Sequence, residues 1–115
     1  MTGGRLRCDG RPLPLEAWRA QRLLERMRGL LGRPQGSLGA LWIAPCNSIH
    51  TFAMGYAIDV AFLDAQGRVL ATHAAVRPAR MRWCWPARSV LELPAGGMAL
   101  HGIVRGAELT FEAHA

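Results

Sequence analysis

The chain has no lysine, few acids and few aromatics. All 14 of its cationic residues are arginine, set against eight acids, for a formal net charge of +6 over 115 residues. Arginine is always charged and grips carboxylates and phosphates bidentately, so the balance raises the prior for an anionic partner. Uniform arginine usage beside abundant Ala, Gly and Pro fits codon bias in a GC-rich genome at least as well, and that reading is preferred. Cysteine is sparse: Cys8, Cys46 and Cys84 are odd in number, with no CxxC spacing. This excludes a disulfide framework and makes no case for a thiolate zinc site, so no metal and no cofactor is expected. No apolar run approaches the ~20 residues of a membrane span, and no membrane partner is expected. The first ten residues carry no hydrophobic core of a signal peptide, which makes the cytoplasm the expected location. A Gly-rich phosphate loop, a nucleophile elbow and a helical HExxH site are all missing.

What remains is a sequence of short apolar segments punctuated by Gly and Pro. At 115 residues, with 50% hydrophobic and 19% charged side chains, the chain is one domain by size. Asp9-Gly10 within residues 5–13 signals a two-residue hairpin. Pro14 precedes a helical pattern running to about Met27. Ala17, Ala20, Leu23, Leu24, Met27 and Leu31 share one face, and Trp18 falls off it. From Ala40 the pattern is β. Short strands are expected at 41–43, 48–54, 57–63, 68–73, 89–93 and 108–112, with a turn at Asp64–Gly67 and an irregular stretch over Arg77–Ala87. The expected fold is mainly β: a small single-domain β-sandwich or squat barrel, with one N-terminal amphipathic helix. The hairpin and helix take up about 5–28, and the β core about 40–113.

Chemistry concentrates between Leu41 and Asp64, where Cys46, Asn47, Ser48, His50 and Asp59 interrupt an apolar run. Buried without partners, each such group costs roughly 1–3 kcal/mol, so they are structural pegs or a site. Cys46 and His50 are four apart. On a helix that is ~6 Å and suits a shared metal or a nucleophile–base pair. On a strand it is ~13 Å, too far for either. The expected strand therefore separates them while aiming Ser48 and His50 the same way. Asp59 interrupts Ile58, Val60 and Phe62. It is expected to accept hydrogen bonds from backbone amides or from an arginine such as Arg33 or Arg68, or else to keep a raised pKa in a cleft. Glu92, between Leu91 and Leu93, admits the same readings. Residues 77–88 mix four arginines with Trp83, Trp85 and Cys84. This suits a phosphate, base or carboxylate clamp, and equally a solvated loop with two apolar anchors.

Several segments occur in an order resembling the bacterial and archaeal Domain of Unknown Function 192: Gly29-Leu-Leu-Gly-Arg33, Leu41-Trp-Ile43, Ser48-Ile-His-Thr-Phe-Ala-Met54, Ile58-Asp-Val-Ala-Phe-Leu-Asp64, Gly67-Arg-Val-Leu70 and Val90-Leu-Glu-Leu-Pro-Ala-Gly96. The resemblance spans about Met27 to Phe111. It implies a compact, mostly β fold and brings no activity with it. Relatives often have a bulky aromatic and a basic residue where Ala53 and Gly55 stand here, and glycine-aspartate around Ala107. If those side chains touch a ligand, this chain lacks the contact.

The expected function is a binding module for a small molecule or peptide. Its polar pocket is built from Asn47, Ser48, His50 and Asp59, with Trp83 and Arg88 on the rim. Two alternatives stay open. One is a small hydrolase or transferase using Cys46 or Cys84 with His50 and Asp59, which leaves open whether a reaction is catalysed and by which residues. The other, less favoured, is an arginine-driven binder of nucleic acid or acidic partners.

Overall fold

The alternating residues at the N-terminus form β1 (Thr2–Cys8), and the chain reverses over Asp9 and Gly10 into β2 (Arg11–Pro12). Both turn residues have positive φ, 51° and 81°, and Cys8 faces Arg11 across the reversal. This is the primed turn whose twist matches a two-residue hairpin. β3 (Ala17–Ala20), α1 (Leu23–Arg28), β4 (Ala40–Ile43), β5 (Ser48–His50), β6 (Ile58–Leu63) and β7 (Val69–Val76) follow. The chain ends with β8 (Met81–Trp83), β9 (Ser89–Pro94), α2 (Gly97–His101) and β10 (Leu109–Ala113). This computed structural model describes residues 1–114, apart from the side chain of Leu23.

One eight-stranded sheet organises the chain, in the order β10-β1-β3-β4-β9-β6-β7 with β2 attached to β1. Its pairs are antiparallel except β3 with β4, which run parallel. The sheet curls until the starts of its edge strands β7 and β10 touch. Leu109 N–H donates to the Gly67 carbonyl and Val69 N–H to the Ala107 carbonyl, both at 2.8 Å. The result is a half-barrel, and the mainly β expectation stands. Gly67, at φ 83°, is required where the ends meet, because a Cβ there would run into the Leu109 carbonyl. The turn before it is also as expected: Asp64 Oδ1 accepts the amides of Gln66 and Arg68, each at 2.9 Å. A second, two-stranded sheet pairs β5 with β8.

The central strands are buried on both faces. Leu41, Ile43, Val60, Phe62 and Val90 pack on one side, and Trp42, Ala61, Leu63, Leu91 and Leu93 on the other. Full burial of such side chains contributes roughly 1.5–3 kcal/mol each. It also explains why β6 and β9 are apolar at both parities apart from Asp59, Ser89 and Glu92, with no alternation. Alternation still decides where the two acids go. Glu92 shares the face of Val90, and Asp59 shares that of Ala61 and Leu63.

The amphipathic helix expected from Pro14 to Met27 is not formed. Ala17 and Ala20 are the buried ends of β3, and only Leu23–Arg28 is helical. Leu24 and Met27, placed on the apolar face by the helical pattern, are 78% and 65% exposed. Leu23, the other member of that stripe on α1, has a side chain outside the described residues. The misreading has a physical cause. β3 lies between β1 and β4 and buries small residues on both faces, so an apolar pair three apart imitates a helical stripe. Trp18, off the helical arc, lies over Gly3 of β1, where an added Cβ would come within 3.2 Å of the indole.

Candidate functional site

β9 turns Glu92 toward the face roofed by α1 and the turns that follow it. The carboxyl is 3% exposed, and its Oε1 has no hydrogen-bond partner. Gly29, at φ 51°, carries the chain directly above. A Cβ on Gly29 would lie 2.7 Å from Glu92 Oε1. Burial pushes the Glu92 pKa up to about 7, and the Leu30 backbone amide opposes that only in part.

Glu92 lines a pocket of about 580 Å³. Leu30, Leu31, Ile43, Ile49, Met54 and Ala87 supply its apolar walls. This combination of an apolar cavity and a few convergent polar groups is typical of small-molecule sites. Arg26 lines it too: its Nη1 donates to the Pro45 carbonyl at 2.9 Å, and its buried Nε has no partner. The turn from Leu30 to Arg33 is clamped from β6's side by Tyr56, whose hydroxyl donates to the Arg33 carbonyl at 2.8 Å. Burial and the neighbouring Glu92 charge raise the Tyr56 pKa.

β5 supplies the polar rim. Ser48 and His50 flank the buried Ile49 and point away from the core, as the expected strand requires. Across the ribbon Ser48 faces Trp83 and His50 faces Met81. The His50 ring stacks on Phe52 with centroids 5.4 Å apart. Phe52, Met81 and Trp83 are 47%, 52% and 57% exposed, and together they form an apolar shelf beside His50. The strand stops at His50. Thr51 to Met54 is a turn in which Ala53 takes φ 62°, and this swings Met54 back into the pocket wall.

Of the residues picked from sequence, Asn47, Ser48, His50 and Arg88 line this pocket. Trp83 stands on the shelf. Asp59 does not join them: it lies on the other face of the sheet, 1% exposed. Its Oδ1 accepts the Ala75 amide at 2.8 Å, and its Oδ2 accepts those of Gly96 and Met98, each at 3.1 Å. Neither arginine suggested as its partner is used. Arg33 donates to the Gly29 carbonyl, and Arg68 pairs with Glu108 at 3.5 Å. Arg26, Gly29, Leu30 and Tyr56 were not singled out. The readable signal was Glu92, an acid inside a fully apolar strand.

Cys46 turns away from imidazole chemistry. Its Sγ donates to the Ser48 carbonyl at 3.0 Å, and burial pushes its pKa up. That is the reverse of what an activated nucleophile needs. Among the described residues, no three His, Cys, Asp or Glu side chains converge as a metal site. No helix among them is long and apolar enough to cross a membrane.

These features define a small curled-sheet β domain with a pocket lined by a buried acid. Residues 5–111 match the family Domain of Unknown Function 192, "Uncharacterized ACR", and the chain belongs to it. No curated protein matches the chain. Two crystal structures share the fold. One is a protein of unknown function from Novosphingobium aromaticivorans, 20% identical, with a TM-score of 0.79 over 92% of this chain and 83% of that one. The other is a "putative transcription regulator" from Sinorhizobium meliloti, 21% identical, with a TM-score of 0.81 over 95% of this chain and 93% of that one. At such identities the likeness carries the fold alone.

Proposed function

We propose that the protein is a small-ligand binding module whose site is the pocket over Glu92. The observation that carries this reading is a buried carboxyl oxygen without a partner in the wall of a cavity of about 580 Å³. A buried acid with one oxygen unpartnered costs stability, and a chain that needed only a core would do better with an apolar residue there. Asn47, Ser48, His50 and Arg88 give the mouth both donors and acceptors. Trp83 extends the rim through the exposed shelf. No observation favours the Cys/His enzyme: the Cys46 thiol is spent on a backbone carbonyl. The three unpaired cysteines suit a reducing compartment, so the cytoplasm is the proposed location.

The test is a fragment screen read by amide chemical shifts of the full-length protein. Binders are expected to move Leu30, Ile49, His50 and Ala87 together. Hits scattered over the β1–β10 side, or none at all, would contradict the reading.

A further inference from the structure

We infer that the pocket takes a small amphiphilic carboxylic acid, with its carboxylate at the base between Arg26 and Glu92 and its apolar chain running past Ile43 and Met54 to the mouth. This deepens the binding reading above and rests on it.

Charge selects the sign of the ligand. Arg26, Arg28 and Arg88 line the pocket, and Glu92 is its only acid. A cationic ligand meets an excess of like charge, and an anion meets the opposite. Hydrogen-bond capacity selects the head group. Two buried polar atoms on the walls lack partners, Arg26 Nε and Glu92 Oε1. The guanidinium Nε–H can only donate, and a protonated Glu92 also donates. A carboxylate offers one oxygen to each. An ammonium head offers no acceptor to Arg26. Arg26, Cys46 and Glu92 all belong to the lining of this one pocket.

The Leu30 amide already bonds the Glu92 carboxyl, and the other polar groups around the pocket are engaged elsewhere. Tyr56 donates to backbone carbonyls of the 30–33 turn, Cys46 to the Ser48 carbonyl and Arg28 Nε to the Leu31 carbonyl at 3.1 Å. Arg88 and His50 stand exposed at the mouth. The apolar chain leaves past His50 onto the shelf of Phe52, Met81 and Trp83. Two carboxyl groups meeting in a low-dielectric site share one proton, because both cannot be ionised there. The complex therefore takes up a proton, and affinity follows the protonated fraction of Glu92.

Isothermal titration calorimetry with sodium octanoate, octylammonium chloride and 1-octanol, at pH 6 and pH 8, tests the assignment on the full chain. Octanoate is expected to bind one to one, about tenfold tighter at pH 6 than at pH 8, given a carboxyl that titrates at about 7. Heats in buffers of different ionisation enthalpy should show proton uptake, and Glu92→Gln should abolish both the uptake and the pH slope. Octylammonium or octanol binding more tightly than octanoate would overturn the carboxylate assignment and leave the pocket as a ligand site. So would octanoate affinity in the unmodified protein that does not change with pH. If none of the three binds, the binding reading falls with it. The wild-type pH comparison decides the matter even if Glu92→Gln does not fold.

Discussion

Gly29 and Glu92 meet across the roof of the pocket, with room between them for no side-chain atom: a Cβ at Gly29 would sit 2.7 Å from the Glu92 carboxyl oxygen. The glycine is required twice over, by this approach and by its φ of 51°. The approach also screens the carboxyl from water, and so it is part of the cause of its raised pKa.

Gly29→Ala is therefore expected to destabilise the fold by roughly 1–3 kcal/mol in urea unfolding, from backbone strain plus displacement of the acid. Combined with Glu92→Ala, part of that cost should be recovered, since the crowding partner is gone. Strict additivity would mean the two residues do not press on one another.

Glu92 should make stability fall with pH. The native carboxyl titrates at about 7 against the usual 4.5, so between those values the folded state binds more protons than the unfolded one. Its contribution is complete below about pH 4.5 and is lost as pH rises through 7, a change of roughly 3 kcal/mol. Glu92→Gln should flatten that limb of the curve and be at least as stable as the parent at pH 8. Denaturant midpoints at pH 5 and pH 8 check this. A parent that gains stability across the window would contradict it.

Asp59 is expected to matter for folding and not for binding. Asp59→Ala leaves three amides, the buried one of Met98 and the part-buried ones of Ala75 and Gly96, without their acceptor. The loss should be about 3 kcal/mol or more, with Asp59→Asn milder because its one carbonyl oxygen still accepts. Any fragment that binds the folded variant should do so with unchanged affinity. A selective loss of binding would move Asp59 back into the site.

Local features were readable before the fold. Asp9-Gly10 and Asp64–Gly67 carry their turn geometry in the residues themselves, and β6 and β9 announce burial by apolar residues at both parities, interrupted within the run only by Asp59 and Glu92. Segments whose meaning depends on distant partners were not readable. Ala17–Ala20 becomes a strand only because β1 and β4 flank it, and that parallel pairing with β4 leaves no local pattern. Met81–Trp83, within the stretch read as irregular, pairs with Ser48–His50 across a gap of some thirty residues. The pocket divides along the same line. Asn47, Ser48, His50 and Arg88 were identifiable as polar groups out of place. The roof of Arg26, Gly29 and Leu30 was hidden inside an expected helix and loop. Asp59 stands out for the right reason, an acid in an apolar strand, yet its partners are amides 16 to 39 residues further along the chain. Glu92 shows the same signal, but only the Leu30 amide reaches it and its Oε1 has no partner.

Cys46 should react slowly. Its thiol is raised by burial and donates to the Ser48 carbonyl, so iodoacetamide at pH 8 is expected to label it more slowly than a free cysteine peptide. Cys46→Ala should retain fragment binding. Rapid labelling, with loss of a measurable activity on Cys46→Ala, would favour the thiol enzyme.

The central claim concerns one carboxyl group, and an NMR pH titration of the Glu92 side-chain carboxyl carbon reads it directly. A midpoint near 7 in the ligand-free protein is the predicted result. A midpoint at the ordinary glutamate value would mean that the acid is solvated or paired, and the pocket would then have no reason to be more than a surface hollow.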